Sequence, residues 1–256
     1  MTTASSTQDV VRHVLWTGGW DSSFRILQLL FESNDSVAPV YFVNPLRRSL
    51  RHEIRAMDTI SVRARARSPE LETRLRPTTF IELARIPERP EVSEALRRSR
   101  TGGFLGPQYD YIARYVRWAP AHGPLELCLE RDCRPHVVMR DLLEETTPHV
   151  YRVREAHRET DVGVVFGGMH FPVLDWSKGE MGDQASRGGY RDILEKAWFC
   201  HYPVGDAACG RCSPCEQVMK AGMAYRLPRR ARVRHALSVQ RRLREWRREH
   251  EPETAS

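Results

Sequence analysis

The sequence has no apolar run approaching the roughly 20 residues that span a bilayer, so we expect no membrane-spanning segment. Its Ser/Thr-rich start, Met1–Asp9, lacks the basic stretch and apolar core of a secretory signal. Cysteine is sparse, and four of the six thiols crowd between Cys200 and Cys215, which is unlike a secreted disulfide scaffold. We therefore expect a cytoplasmic protein with reduced thiols.

Lysine is also scarce: the 256 residues contain it only at positions 178, 196 and 220. The net charge of +7 is local, because ten arginines against two glutamates between Arg226 and His250 give +8. Beyond Tyr225 the pattern predicts an arginine-rich amphipathic helix with a polar tail. The excess of arginine over lysine favours a compositional bias over selection for phosphate contacts. A nucleic-acid partner is thus the less favoured interpretation, although the basic helix leaves it open.

Short apolar runs alternate with segments of helical spacing, which is typical of an α/β fold with a parallel sheet covered on both faces. The predicted strands are Val11–Trp16, Val37–Val43, Thr78–Leu83, Pro124–Leu129 and Asp161–Phe166. The predicted helices are Asp21–Phe31, Glu53–Val62 and Tyr109–Trp118, and the glycine-containing segments Arg97–Gln108 and Asp175–Gly189 are predicted loops.

A glycine-rich turn joins the first strand to the first helix. Its residues are Thr17, Gly18, Gly19, Trp20, Asp21, Ser22 and Ser23. Glycines let the backbone approach an anion, and the amides of a helix start can hold a phosphate or pyrophosphate. The hydroxyl groups add donors, while Asp21 could orient the turn or contact magnesium. No Gly-Lys-Ser/Thr follows, so this is not a Walker loop, nor does it have the spacing of the dinucleotide fingerprint.

This turn resembles the loop of the ATP pyrophosphatase (PP-loop) superfamily, usually Ser-Gly-Gly-X-Asp-Ser, with Thr17 in place of the first serine. The resemblance implies a Rossmann-like fold of the adenine nucleotide alpha hydrolase type, ATP and Mg²⁺ as cofactors, and an adenylated intermediate. It implies Asp21 and Ser22 as catalytic residues. An adenine pocket is then expected near Trp16 and around Phe42, Val43 and Asn44.

The cysteines near the C-terminus form a lone thiol followed by three at CxxCxxC spacing: Cys200, Cys209, Cys212 and Cys215. Four thiols among turn-forming residues predict a closed, structural tetrahedral zinc site. An iron–sulfur cluster, with His201 as a possible substitute ligand, is the chief competitor.

The segment from Trp198 to Cys215 also resembles the zinc motif of 7-cyano-7-deazaguanine synthases, and Arg51-His52-Glu53 resembles the start of their second helix. The resemblance implies a C–N ligase of queuosine biosynthesis that activates a small heterocyclic carboxylate or amide for amide or nitrile formation with ammonia. It also implies a homodimer. We expect residues 1–197 to form the PP-loop domain and residues 198–256 to form the zinc-binding region with the basic helix.

The middle of the chain departs from that family, at Gly106–Arg114 and after Gly167–Pro172, so its substrate contacts are expected to differ. Polar residues on the predicted loops and third helix are the candidates: Gln108, Tyr109, Tyr111, Arg114, His170, Asp175 and Lys178. Each of them has packing or surface exposure as its alternative role.

Two further functions stay open. Cys133 lies between Arg131 and Arg134, which we expect to lower its thiol pKa, so ATP-dependent sulfur transfer to a nucleobase or tRNA is an alternative. Cys128 is interpreted as a buried strand residue. The third interpretation is a non-catalytic protein that binds nucleotides or nucleic acid.

Overall fold

The computed structural model describes residues 10–99, 105–120, 123–131 and 133–250, with the backbone alone for residues 241–250. In chain order the elements are β1 (Val11–Leu15), α1 (Trp20–Glu32), β2 (Ser36–Val43), α2 (Leu50–Arg67), α3 (Leu71–Arg74), β3 (Thr79–Glu82), α4 (Pro90–Ser99), α5 (Gln108–Trp118), β4 (Leu125–Glu126), α6 (Arg134–Met139), β5 (Leu143–Thr147), β6 (Val150–Val153), α7 (Asp161–Phe166), β7 (Met169–His170), α8 (Lys178–Arg187), α9 (Arg191–Leu194), α10 (Ser213–Lys220) and α11 (Arg229–His250).

The chain divides into two compact units. Unit 1 comprises Met1–Pro45 and Glu53–Ala197, and unit 2 comprises Leu46–His52 and Trp198–Ser256. None of the helices in the described parts of the chain has both the length and the apolar character needed to cross a bilayer.

Unit 1 is built on a five-stranded sheet in the order β3-β2-β1-β4-β7, with every adjacent pair parallel. Parallel strands need crossover connections, and helices supply them here, as the α/β rhythm of the sequence predicts. The chain runs from β1 outward to β3, then returns to place β4 on the other side of β1. The carboxyl ends of β1 and β4 therefore flank a topological switch point, where open α/β sheets bind ligands.

Helices flank the sheet on both faces, as alternation along the strands shows. Leu15 and Leu125 belong to the hydrophobic cluster that includes residues of α4, α5 and α7. Glu126, the next residue of β4, instead bonds to Arg25 of α1. Since successive strand side chains point to opposite faces, α1 lies on the face opposite that cluster.

The fifth strand of the sheet differs from the prediction. Residues Asp161–Phe166 form α7, capped by the Thr160 hydroxyl, which accepts from the Gly163 amide. The strand itself is the short β7, Met169–His170. A short apolar run fits a buried strand or a buried helix equally well, and here packing against α4 and α5 gave a helix.

One of the two predicted loops also needs correction. In Asp175–Gly189, residues Lys178–Arg187 form α8, whose start is stabilised by a reciprocal capping box between Ser177 and Glu180. The segment Arg97–Gln108 begins with the last turn of α4 and ends in the first residue of α5, and its residues 100–104 lie outside the described part. The antiparallel pair β5–β6 was not predicted at all.

Unit 2 contains the four clustered cysteines, α10 and the arginine-rich α11. His52 stacks on Trp198 with ring centroids 4.5 Å apart, and its Nε2 lies 3.2 Å from the Gly205 carbonyl oxygen. Arg51 Nη2 also lies 3.2 Å from Asp206 Oδ1. The contacts of Arg51 and His52 therefore hold residues 46–52 to the rest of unit 2.

Candidate functional site

The glycine turn after β1 lies at the switch point of the sheet. Gly19 is the N-cap residue of α1 and has no side chain with which to cap the amides of the first turn. Such amides are donors for an anion at the positive end of the helix dipole. The Ser22 hydroxyl accepts from the Thr17 amide at 3.4 Å, while Ser23 is fully buried and accepts from Trp16 Nε1 at 2.9 Å. The buried hydrogen bond between Trp16 and Ser23 therefore links the end of β1 to the first turn of α1.

Gly18 is required by the geometry of this turn. Its φ is +64°, and a Cβ there would lie 2.7 Å from the carbonyl oxygen of Glu53 on α2. The Glu53 side chain is itself buried and accepts from the Tyr41 hydroxyl at 2.7 Å. The turn is thus pressed against α2, and α2 is bonded to β2.

Three charged side chains meet beside the turn and form what we call the charge cluster: Asp21, Glu130 and Lys178. Lys178 Nζ lies 2.8 Å from Asp21 and 3.0 Å from Glu130, and only 11% of its side chain is exposed. The three residues follow β1, β4 and β7, so they share the carboxyl edge of the sheet. Burial raises the pKa of Glu130, and the Asp21 carboxylate raises it further, while Lys178 opposes this effect.

Aromatic and backbone contacts hold Lys178 in place. The Trp20 indole Nε1 donates to the Lys178 carbonyl at 3.2 Å, and the Arg191 guanidinium lies 5.0 Å from the centroid of the Trp20 ring. The first residue of α8 is therefore tied to the first residue of α1. The sequence indicates Asp21 and Lys178 as separate candidates, whereas Glu130 is marked only by its position just after the fourth predicted strand.

A buried ion pair lies under the charge cluster. Arg25 of α1 makes two hydrogen bonds to Glu126 of β4, at 2.8 and 3.0 Å, and the Glu126 side chain is 2% exposed. Cys128 is half-buried and lies just past the end of β4, so it is not the buried strand residue that the sequence predicts. Burial of its thiol together with the Glu126 charge raises the Cys128 pKa well above the usual value. The Arg25–Glu126 pair therefore links α1 to β4, which lies across the switch point from β1.

We expect Glu126→Ala to lower the free energy of unfolding by about 3–5 kcal/mol, because it leaves the Arg25 charge buried without its partner. Chemical denaturation followed by circular dichroism measures this change. As a control, Glu91→Ala removes an exposed carboxylate on α4 and should change the unfolding free energy by less than about 1 kcal/mol. Equal effects of the two substitutions would contradict a structural role for the Arg25–Glu126 pair.

The candidate substrate residues on α5 mostly serve packing. Tyr109 is buried against Phe166, with ring centroids 5.2 Å apart, and burial raises its pKa. Arg114 is buried and pairs with Glu88 at 2.6 Å and Asp110 at 2.9 Å. Tyr111 packs against Phe42 of β2, and Gln108 is exposed.

The remaining candidates lie on or after β7. The Tyr151 hydroxyl donates to Asp175 Oδ2 at 2.8 Å, and His149 Nδ1 lies 2.9 Å from the same oxygen. Burial of Tyr151 and its bond to Asp175 raise the pKa of Tyr151 to about 12. His170 is half-buried, and this burial lowers the pKa of its imidazole. Together with Arg117 of α5, it lines a cavity of about 650 Å³. The structure brings Lys178 alone of these candidates to the glycine turn. Val43 and Asn44, the expected adenine contacts, are half-buried at the end of β2.

The four clustered cysteines of unit 2 are buried, and their sulfurs lie within 4.8 Å of one another. Sulfur–sulfur distances are 3.8 Å for Cys200–Cys212, 3.9 Å for Cys209–Cys215 and 3.4 Å for Cys212–Cys215. A tetrahedron with zinc–sulfur bonds of about 2.3 Å has edges of about 3.8 Å, so the donor set fits one metal ion such as zinc. A four-iron cluster binds each thiolate through a separate iron and would hold the sulfurs farther apart.

Backbone amides surround the sulfurs of this candidate metal centre. The Gly210 amide points at Cys215 Sγ at 3.3 Å, and the Arg211 and Cys212 amides point at Cys209 Sγ at 3.3 and 3.4 Å. Amide donors stabilise thiolates over thiols, which is the form that binds a metal. The Gly210 φ of +78° is the left-handed conformation that lets the loop wrap the sulfurs.

Comparison with known proteins adds no relative: no protein-family model matches the chain, and neither does any curated protein.

Proposed function

We propose that this chain is a PP-loop enzyme that adenylates a small heterocyclic substrate, releasing AMP and pyrophosphate from ATP. The observation that carries the proposal is the charge cluster, in which Lys178 joins Asp21 and Glu130 beside an uncapped glycine turn. A cation and two carboxylates at a helix start are suited to a polyphosphate and its magnesium ion.

In this proposal the backbone amides between Gly18 and Ser22 hold the pyrophosphate leaving group, because the Thr17 amide already donates to Ser22 Oγ and the Ser23 amide to the Gly19 carbonyl. Lys178 donates to the pyrophosphate oxygens, and Asp21 and Glu130 would hold Mg²⁺, which offsets the charge of the phosphates. The substrate carboxylate attacks the α-phosphorus, the bond to the bridging oxygen of pyrophosphate breaks, and no side-chain nucleophile is needed. Positioning and electrostatics supply the rate enhancement.

The resemblance to 7-cyano-7-deazaguanine synthases supports a second step, in which ammonia displaces AMP to form an amide. Zinc at the four cysteines has a structural role in this proposal, since four thiolates close its coordination shell and leave no open position for substrate. A homodimer belongs to the same proposal.

Sulfur transfer through Cys133 is the less favoured alternative. Burial raises the pKa of Cys133 to about 11, opposite to the expected lowering by its neighbouring arginines. Arg131 is instead engaged by the Asp175 carbonyl and by Glu180. A thiol protonated at neutral pH is a poor sulfur acceptor.

The proposal is tested by incubating the purified chain with ATP, Mg²⁺, 7-carboxy-7-deazaguanine and ammonium. We expect AMP and pyrophosphate by chromatography, and by mass spectrometry a product carrying an amide or a nitrile. The Cys133→Ala variant should retain full turnover. Release of ADP and phosphate would overturn adenylation, ATP binding without turnover would favour a non-catalytic nucleotide-binding protein, and a thiolated product lost in Cys133→Ala would establish sulfur transfer.

A further inference from the structure

The helix α11 is attached to the metal centre through one face. Arg234 donates to the carbonyl oxygens of Cys209 and Ala208 at 2.9 and 3.1 Å, and His235 Nδ1 lies 3.2 Å from the Gly210 carbonyl oxygen. Ala231 is fully buried, and a Cβ on Gly210 would lie 2.0 Å from its carbonyl oxygen. The cysteine loop and the first three turns of α11 therefore form one packed module.

Four arginines of this module are exposed: Arg211 on the cysteine loop, and Arg229, Arg230 and Arg232 on α11. Within the part of the chain that the structure describes, none of the four makes a hydrogen bond or an ion pair through its guanidinium. The first turn of α11 contains no acidic residue. An ordinary solvated helix face balances its charges with i to i+4 pairs, so this uncompensated charge favours an anionic partner.

A groove runs between the cysteine loop and α11. Arg211, Arg234, Leu237 and Ser238 line it, and its volume is about 210 Å³. Arg230 lies four residues before Arg234 and shares its side of the helix, which extends the basic surface along the groove. Leu237 is 60% exposed beside these arginines and offers an apolar contact.

We propose that this surface, formed by Arg211, Arg229, Arg230, Arg232 and the groove, binds the phosphate backbone of a nucleic acid without sequence preference. Arginine forks bind phosphate oxygens in pairs, and an apolar side chain between them suits a sugar or base. The metal centre is the scaffold, because it orders the loop that bears Arg211 and anchors the helix that bears the others. This function is separate from adenylation and does not depend on it.

An anionic lipid surface would also attract arginines, but insertion needs a broad apolar face. On the described turns of α11 the exposed large apolar residues are Val233 and Leu237, set among arginines. The surface is therefore better suited to a polyanion than to a bilayer.

The test measures binding of the full metal-loaded chain to a labelled 20-nucleotide single-stranded RNA, and to DNA of the same length, by fluorescence anisotropy from 50 to 200 mM salt. With about four phosphate contacts, the logarithm of the association constant should fall with the logarithm of salt at a slope of about −3. The double variant Arg211→Ala/Arg230→Ala should reduce the steepness of that slope by about 1.4. Removal of the metal with a chelator should weaken binding as well.

The matched control is Arg63→Ala/Arg85→Ala, which removes the same net charge at exposed positions of unit 1. It should bind like the parent chain, and both double variants should keep the turnover of ATP. Equal weakening by the two double variants, a salt-independent affinity, or binding to anionic vesicles without binding to RNA or DNA would overturn the proposal. If the parent chain binds RNA but does not turn over ATP, that result would count against the proposed adenylation and would leave the nucleic-acid proposal intact.

Discussion

We expect the Cys215→Ser variant to bind no metal at the four clustered cysteines of unit 2 and to lose the ordered structure of the cysteine loop. Cys215 is fully buried, and two other sulfurs lie 3.4 and 3.9 Å from it. Loss of one thiolate opens the tetrahedral shell, and structural zinc sites contribute about 10–16 kcal/mol of apparent binding free energy in isolated zinc-finger peptides. Metal content should fall from about one ion per chain to near zero.

The structural consequence is measured by limited proteolysis. Because Arg234 and His235 bond to the carbonyls of the cysteine loop, the variant should be cut rapidly between about residues 200 and 235, where the parent chain resists. Cys128→Ser is the matched control, since Cys128 lies outside the cluster and should keep both metal and protection. Stoichiometric metal in the Cys215→Ser protein would rule out the four-thiolate site.

Replacing Lys178 with methionine is expected to lower ATP turnover by about 10²- to 10³-fold, the usual effect of losing one group that stabilises developing charge. Lys178 opposes the rise in the pKa of Glu130, so its removal should raise that pKa further. The acidic limb of the pH–rate profile should then move to higher pH. Lys196→Met, an exposed lysine of the same unit, is the matched control and should leave the rate unchanged.

The same variant has a readout that does not depend on activity. A carboxyl group whose pKa is raised in the folded state adds stability below its unfolded pKa of about 4.3, and this stability is lost as pH rises through the folded pKa. Unfolding free energy of Lys178→Met, relative to the parent chain, should therefore decrease as pH rises above about 4.5. If the difference in unfolding free energy between the two proteins stays constant over that pH range, Lys178 does not control the pKa of Glu130.

Much of the fold follows from local pattern. The strands at Val11 and Val37 and the helix after the glycine turn have the buried runs and helical spacing that their packing requires. Prediction failed where local pattern is ambiguous. The run Asp161–Phe166 is apolar and β-branched, yet its Thr160 cap and the helices around it made it helical. Glycines at 179 and 182 suggested a loop, although the capping box of Ser177 and Glu180 starts a helix there.

The two candidate sites differ in how far sequence could reveal them. The candidate metal centre draws its four cysteines from 16 consecutive residues, so spacing alone predicts it. The charge cluster joins Asp21 to a lysine 157 residues away and to Glu130. No local pattern encodes that meeting, because it depends on β1, β4 and β7 ending at one edge of the sheet. The glycine turn and the cysteine spacing are thus properties of the sequence, whereas the pairing of Lys178 with Asp21 is decided by strand order, since only the folded sheet brings distant strand ends together.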